Sequence, residues 1–141
     1  MLSSEGTAYT VDTLALLGYL ADRLPAKANN AFAEAERGDA MLIVPSIVVG
    51  ESLFTLLKGK MVFGVKVPAE KLLLFLDALE KSPSVRLQDM GVEEWRKAVE
   101  IDLPELHDRM VVATFLLTKS TAILTNDKEI SGLKGVKTLW R

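Results

Sequence analysis

The sequence predicts an α/β fold with a parallel sheet covered on both faces, and three observations carry that expectation. Short apolar runs, Ala8-Tyr9-Thr10-Val11, Met41-Leu42-Ile43-Val44 and Ala122-Ile123-Leu124-Thr125, have the length and composition of buried strands. Longer stretches with helical spacing stand between them, so strand and helix alternate along the chain. The first and last runs each lead into an acid, Asp12 and Asp127, that opens the following helical segment.

The elements follow in order. A strand at Ala8–Val11 precedes a helix from Thr13 to about Asp22. Pro25 starts a second helix to Arg37, because the missing N–H of proline is harmless in a first turn, and Gly38 stops it. Met41–Val44 is a buried strand ended by Pro45; Ser46 is the expected cap of a helix reaching Lys58, with Gly59 closing it. Gly59–Val67, holding glycines, lysines and surface-directed Met61, Val62 and Phe63, predicts a loop or small hairpin.

Pro68 then starts a helix to about Lys81. Its Leu72-Leu73-Leu74-Phe75-Leu76 run is apolar all round, so part of it is expected to meet a partner chain or the core. Ser84–Gln88 predicts another strand, and Val92, Trp95 and Val99 the buried stripe of the next helix. Asp102-Leu103-Pro104-Glu105 reads as a capping box for a helix to Lys119, largely buried through Met110–Leu117. A strand at Ala122–Thr125, a short helix at Asp127–Ser131 and a final strand at Val136–Leu139 complete the chain.

At 141 residues, with 49% hydrophobic and 26% charged residues, the chain is expected to be a single globular domain over 1–141. The first basic residue is Arg23, which argues against a signal peptide, and no apolar stretch approaches the ~20 residues that span a membrane. The absence of cysteine excludes disulfides and thiolate zinc sites, and fits a cytoplasmic location. A net charge of −2 gives no general attraction to nucleic acid. Two local basic patches offset this: Lys58, Lys60 and Lys66, then Lys128, Lys134, Lys137 and Arg141.

Four acids concentrate the chemistry. Asp12 and Asp127 suit N-caps, yet strand-to-helix junctions in an α/β sheet are also ligand sites, and both roles are compatible. Glu51 shares a helix face with Ile47, Phe54 and Lys58, and Asp108 shares one with Val111, Val112 and Phe115. A carboxylate on an apolar stripe needs a partner, either a distant cation of the protein or a bound metal. Gathered together, four acids repel one another unless a cation occupies the site, and oxygen donors suit magnesium or manganese. The single histidine, His107, is expected beside such a site rather than in its chemistry, and Arg109 is expected to pair with a carboxylate or meet substrate.

These placements resemble the PIN-domain nucleases, in particular the compact VapC-like ribonucleases. The likeness runs over nearly the whole chain and rests on Val11-Asp12-Thr13-Leu14, on Glu51, on His107-Asp108-Arg109-Met110-Val111-Val112-Ala113-Thr114 and on Ile123-Leu124-Thr125-Asn126-Asp127. It implies a three-layer α/β/α fold with about five parallel strands, and an endoribonuclease dependent on Mg²⁺ or Mn²⁺. Asp12, Glu51, Asp108 and Asp127 would be the catalytic, metal-binding acids, with Thr13, Thr125 and Glu129 in support. Arg109, Lys58 and Lys60 would contact the RNA. The implied partners are a second copy of the chain and a small antitoxin protein. An RNA-processing nuclease without antitoxin, and a non-catalytic RNA- or protein-binding module, are the alternatives. A response-regulator receiver is disfavoured because the central run ends in Val44-Pro45, and a haloacid-dehalogenase-like phosphatase because Leu14 stands where its second acid belongs.

Overall fold

A computed structural model describes residues 6–141 of the chain. Five strands, β1 (Thr7–Val11), β2 (Ala40–Pro45), β3 (Val85–Gln88), β4 (Ala122–Leu124) and β5 (Thr138–Leu139), form one sheet in the order β3-β2-β1-β4-β5. Every pairing is parallel, with Tyr9 of β1 opposite both Leu42 and Ala122. Helices α1 (Thr13–Leu20), α2 (Ala26–Glu36), α3 (Ser46–Leu57), α4 (Ala69–Lys81), α5 (Val92–Glu100), α6 (Leu106–Leu117) and α7 (Lys128–Ser131) connect and cover the strands. Among the described residues, this is the three-layer parallel arrangement that the alternation predicts.

Parallel strands bury both faces, and the central ones do so here. Tyr9, Thr10 and Val11 of β1 and all of β4 are inaccessible or nearly so. The hydroxyls this buries in β1 find partners: Tyr9 OH donates to Glu34 Oε1 at 3.1 Å, and Thr10 Oγ1 is hydrogen-bonded to Ser120 Oγ at 2.7 Å, which meets Thr118 Oγ1 at 2.8 Å. The strand order reverses around β1, which is followed in sequence by β2 on one side and paired with β4 on the other. The C-terminal ends of β1 and β4 therefore flank a topological switch point, where such sheets leave a crevice.

Four local expectations are corrected. The N-cap of α3 is Pro45, extended at φ −61° and ψ 139°, and Ser46 is its first helical residue without a capping bond. The Asp102–Glu105 capping box does not form; α6 begins at Leu106 with Glu105 as an uncapped N-cap. A carboxylate cap appears on α5 instead, where Glu94 Oε1 accepts the Gly91 N–H at 2.9 Å. Val62 is buried at 4% exposure, because a small bridge between Val62 and Val65 turns it inward while Met61 and Phe63 stay outside.

The fourth correction concerns the face of α5. Val92, Trp95 and Val99 are 66%, 47% and 79% exposed. The buried stripe is Glu94, Ala98 and Ile101, which has helical spacing too. Glu94 accepts from Gly91 N–H and from Gln88 Nε2 at 3.3 Å, so its carboxylate is satisfied facing inward. The small Ala98 lies on the side that packs against α6. In α4, Leu72 and Phe75 enter the core while Leu73 and Leu74 face outward.

Candidate active site

Asp12 ends β1 by donating its own N–H to Leu124 O at 3.3 Å, one step beyond the last β1–β4 pair. Its side chain turns into the first turn of α1, where Oδ1 accepts the Ala15 N–H at 2.8 Å. Burial pushes this carboxyl up to about 6; the hydrogen bonds from Thr125 and Ala15 oppose the shift, and the negative charges of Asp108 and Asp127 add to it.

Asp127 is the equivalent residue after β4. Its Oδ1 caps α7, accepting from Glu129 N–H at 2.8 Å and Ile130 N–H at 3.0 Å. Its backbone N–H donates to Thr125 Oγ1 at 3.0 Å. Thr125, whose hydroxyl accepts that N–H, is buried beside Asp12 and favours the charged form of its carboxyl. Each aspartate gives Oδ1 to the first turn of the helix that follows it.

Glu51 approaches from α3 and accepts the Thr13 hydroxyl at 2.6 Å. Asp108 comes from the first turn of α6. Its carboxyl is pushed upward by burial first, then by Asp127, with Glu105 and Glu51 adding to the shift and His107 opposing it. His107 lies between the two helical acids, with Nδ1 3.4 Å from Glu51 Oε2 and Nε2 3.5 Å from Asp108 Oδ1. This follows from adjacency to Asp108 and the closeness of α3 to α6, which no local signal in the sequence reveals.

A cavity of about 310 Å³ opens among these groups, lined by Asp12, Thr13, Leu17, His107, Asp108 and Asp127. A second, more open hollow of about 440 Å³ adjoins it across Thr13 and His107, and Glu51 belongs to that wall. Asp12 at the β1–α1 junction, Asp108 of α6 and Asp127 of the β4–α7 turn thus share one cavity at one end of the sheet, and Glu51 of α3 stands in the adjoining hollow. Among the described residues, no three His, Asp or Glu side chains converge tightly enough to cage an ion by themselves. The donors are nevertheless all hard oxygens, and their mutual repulsion is the kind a divalent cation relieves.

Other predicted residues are placed elsewhere. Among the described residues Arg109 pairs with no carboxylate and lines neither cavity; its guanidinium donates to the carbonyls of Leu103 at 2.5 Å, Ala98 at 3.4 Å and Val99 at 3.5 Å. It fastens the end of α5 to the loop before α6. Glu129 is exposed in the first turn of α7 and lines neither cavity. Lys60 is exposed, and Lys58 extends over the Phe54 ring with Nζ 5.2 Å from its centroid. Phe54, one turn after Glu51 on α3, stands on the rim of the second hollow.

Comparison with known proteins adds the following. The family model of the PIN domain matches residues 9–136. No curated protein matches the sequence. Among solved structures, the fold is similar to a chain of VapBC2 from Rickettsia felis, crystallised with a DNA fragment from its promoter. That match has 14% identity and a TM-score of 0.68, covering 96% of this chain and 100% of that one. A toxin–antitoxin complex from Klebsiella pneumoniae matches at 18% identity and a TM-score of 0.63, over 91% of this chain and 94% of that one. VapC20 of Mycobacterium tuberculosis, a toxin that cleaves the sarcin–ricin loop, matches at 16% identity and a TM-score of 0.60, over 92% and 98%. At such identities the likeness is one of fold.

Proposed function

The chain belongs to the PIN-domain family, and from that premise we propose that it is a Mg²⁺- or Mn²⁺-dependent endoribonuclease, the toxin of a VapBC-type toxin–antitoxin pair acting in the cytoplasm. The observation that carries the activity is the meeting of Asp12, Glu51, Asp108 and Asp127 at the C-terminal edge of the sheet. The toxin role draws support from similarity to VapC and toxin–antitoxin chains over nearly their whole lengths.

In this reading the four acids would hold the cation, with Thr13 orienting Glu51 through its hydroxyl and Thr125 bracing the turn that carries Asp127. The bound cation supplies polarisation of the scissile phosphate, activation of a water and stabilisation of the departing oxygen. No side chain acts as nucleophile. Lys58, held over Phe54 at the rim of the second hollow, and the exposed Lys60 would offset the negative field for an RNA backbone. A second copy of the chain and a small antitoxin would cover the exposed apolar faces.

The decisive variant is Asp12→Asn, which keeps size and the capping oxygen while removing charge. RNA cleavage by purified protein with magnesium or manganese should fall by orders of magnitude, with the melting transition retained. Turnover equal to wild type would overturn the assignment, since a mere cap exchange changes stability by only ~1 kcal/mol or less.

A further inference from the structure

Resting on the ribonuclease reading, we propose that the open hollow beside the acidic cavity is a nucleobase subsite for the substrate strand. Phe54 is its stacking platform, and Gly50 is the residue that keeps it open. Ile47, Gly50, Phe54 and Thr55 of α3 line the hollow, and Thr13 and His107 form the ridge it shares with the acidic cavity. A strand whose scissile phosphate lies among the acids therefore brings a neighbouring base over that ridge and onto α3.

Two features of α3 are unexplained by the fold alone. Phe54 is 58% exposed, one of three large apolar side chains that α3 leaves outside with Leu53 and Leu57, and of these it is the one that lines the hollow. Gly50 sits inside the helix, where glycine is weaker than alanine. A Cβ at Gly50 would meet nothing within 4 Å, so no neighbouring protein atom demands the missing side chain. The space before Gly50 is the hollow itself. A bare backbone there leaves room for a flat group against the helix, with the Phe54 ring at its edge.

The chemistry fits an unpaired base. Aromatic side chains stack with any base, because each has a π face, and this recognition tolerates sequence. Lys58, held over the Phe54 ring, sets a positive charge at the rim for the backbone phosphate that accompanies the base. The mostly apolar floor offers little to a free phosphate or a small acid, and it adjoins the acidic site without a break. A protein–protein contact through the same face is the competing occupant, and the test separates the two.

Full-length Asp12→Asn protein, in which cleavage is suppressed, is titrated with a short fluorescein-labelled single-stranded RNA of mixed sequence, and binding is read by anisotropy. Adding Phe54→Leu, which keeps an apolar group but removes the π face, should weaken binding by about tenfold or more, whereas Phe54→Trp retains it. Gly50→Leu should weaken it similarly by filling the hollow. In the background that retains Asp12, the magnesium-induced rise in melting temperature should survive both changes, showing that the acids are undisturbed. The proposal is overturned if Phe54→Leu and Gly50→Leu bind RNA as the parent does. It is also overturned if Phe54→Leu converts a dimer to a monomer in sedimentation with RNA affinity intact. In either case, abolished cleavage in Asp12→Asn would leave the ribonuclease reading standing. Undiminished cleavage in Asp12→Asn, or a parent that binds no RNA, removes that reading instead and the subsite with it.

Discussion

Asp12 serves two purposes that pull its carboxyl in opposite directions. As the cap of α1 it gains from being charged, through the Ala15 N–H and Thr125. As a buried neighbour of Asp108 and Asp127 it loses by being charged, and the second effect wins, raising it from 3.8 to about 6. The folded state therefore binds this proton more tightly than the unfolded chain, so stability should fall as pH rises through that interval. In EDTA, Asp12→Asn should be more stable than wild type above pH 6, with a margin that shrinks as pH falls toward 3.8; a margin independent of pH would refute the burial argument. Asp108, also raised, should respond alike. Asp108→Asn should melt higher than wild type in EDTA but gain less from millimolar magnesium, which stabilises the native state by mass action. A lower melting point in EDTA together with an equal magnesium shift would instead mark Asp108 as half of a structural ion pair.

The helices show how local preference and packing divide the work. Gly18 in α1 and Gly50 in α3 are both mid-helix glycines, yet their surroundings differ. A Cβ at Gly18 would lie 2.7 Å from Leu24 Cδ2 and 3.2 Å from the Phe63 ring, so this glycine admits the Gly59–Val67 segment against α1. Gly18→Ala should cost about 1–3 kcal/mol from overpacking, less the gain in helix propensity. Gly50→Ala should stabilise by about 1 kcal/mol, since nothing opposes the added methyl. Urea melts of the two variants should move in opposite directions, and a shared sign would defeat the distinction. The orientation of α5 has a similar origin: Arg109 grips its last carbonyls, and this holds Ala98 inward and Val99 outward.

At the scale of the whole molecule, α3 leaves Leu53, Phe54 and Leu57 uncovered. Two further apolar faces are open: one on α4, where Leu73 and Leu74 are 60% and 68% exposed, and a second on α5, through Val92, Trp95 and Val99. A soluble monomer rarely leaves such patches open. The expected state is a homodimer, measured by light scattering at micromolar concentration, with the second face kept for an antitoxin. Leu74→Asp and Val99→Asp replace residues that contribute little to the fold of the monomer. One should dissociate the dimer, and the other should prevent co-purification with the antitoxin. Two variants that leave both assemblies intact would exclude these faces from either role.

The order of strands and helices was legible in the sequence because each signal is local: apolar runs of strand length, prolines at helix starts and glycines after helix ends. The positions of Asp12 and Asp127 followed from the same signals, since an acid between strand and helix sits at the edge of a parallel sheet. Glu51 and Asp108 stood out by being charged on apolar stripes. Their actual partners were hidden, because Thr13 lies 38 residues from Glu51, and His107 contacts Glu51 across two helices. Helical spacing in α5 allowed either Val92-Trp95-Val99 or Glu94-Ala98-Ile101 to face inward. Only the fold chose between them, because the rotation of a helix about its own axis is decided by what packs against it and by which polar groups find partners there.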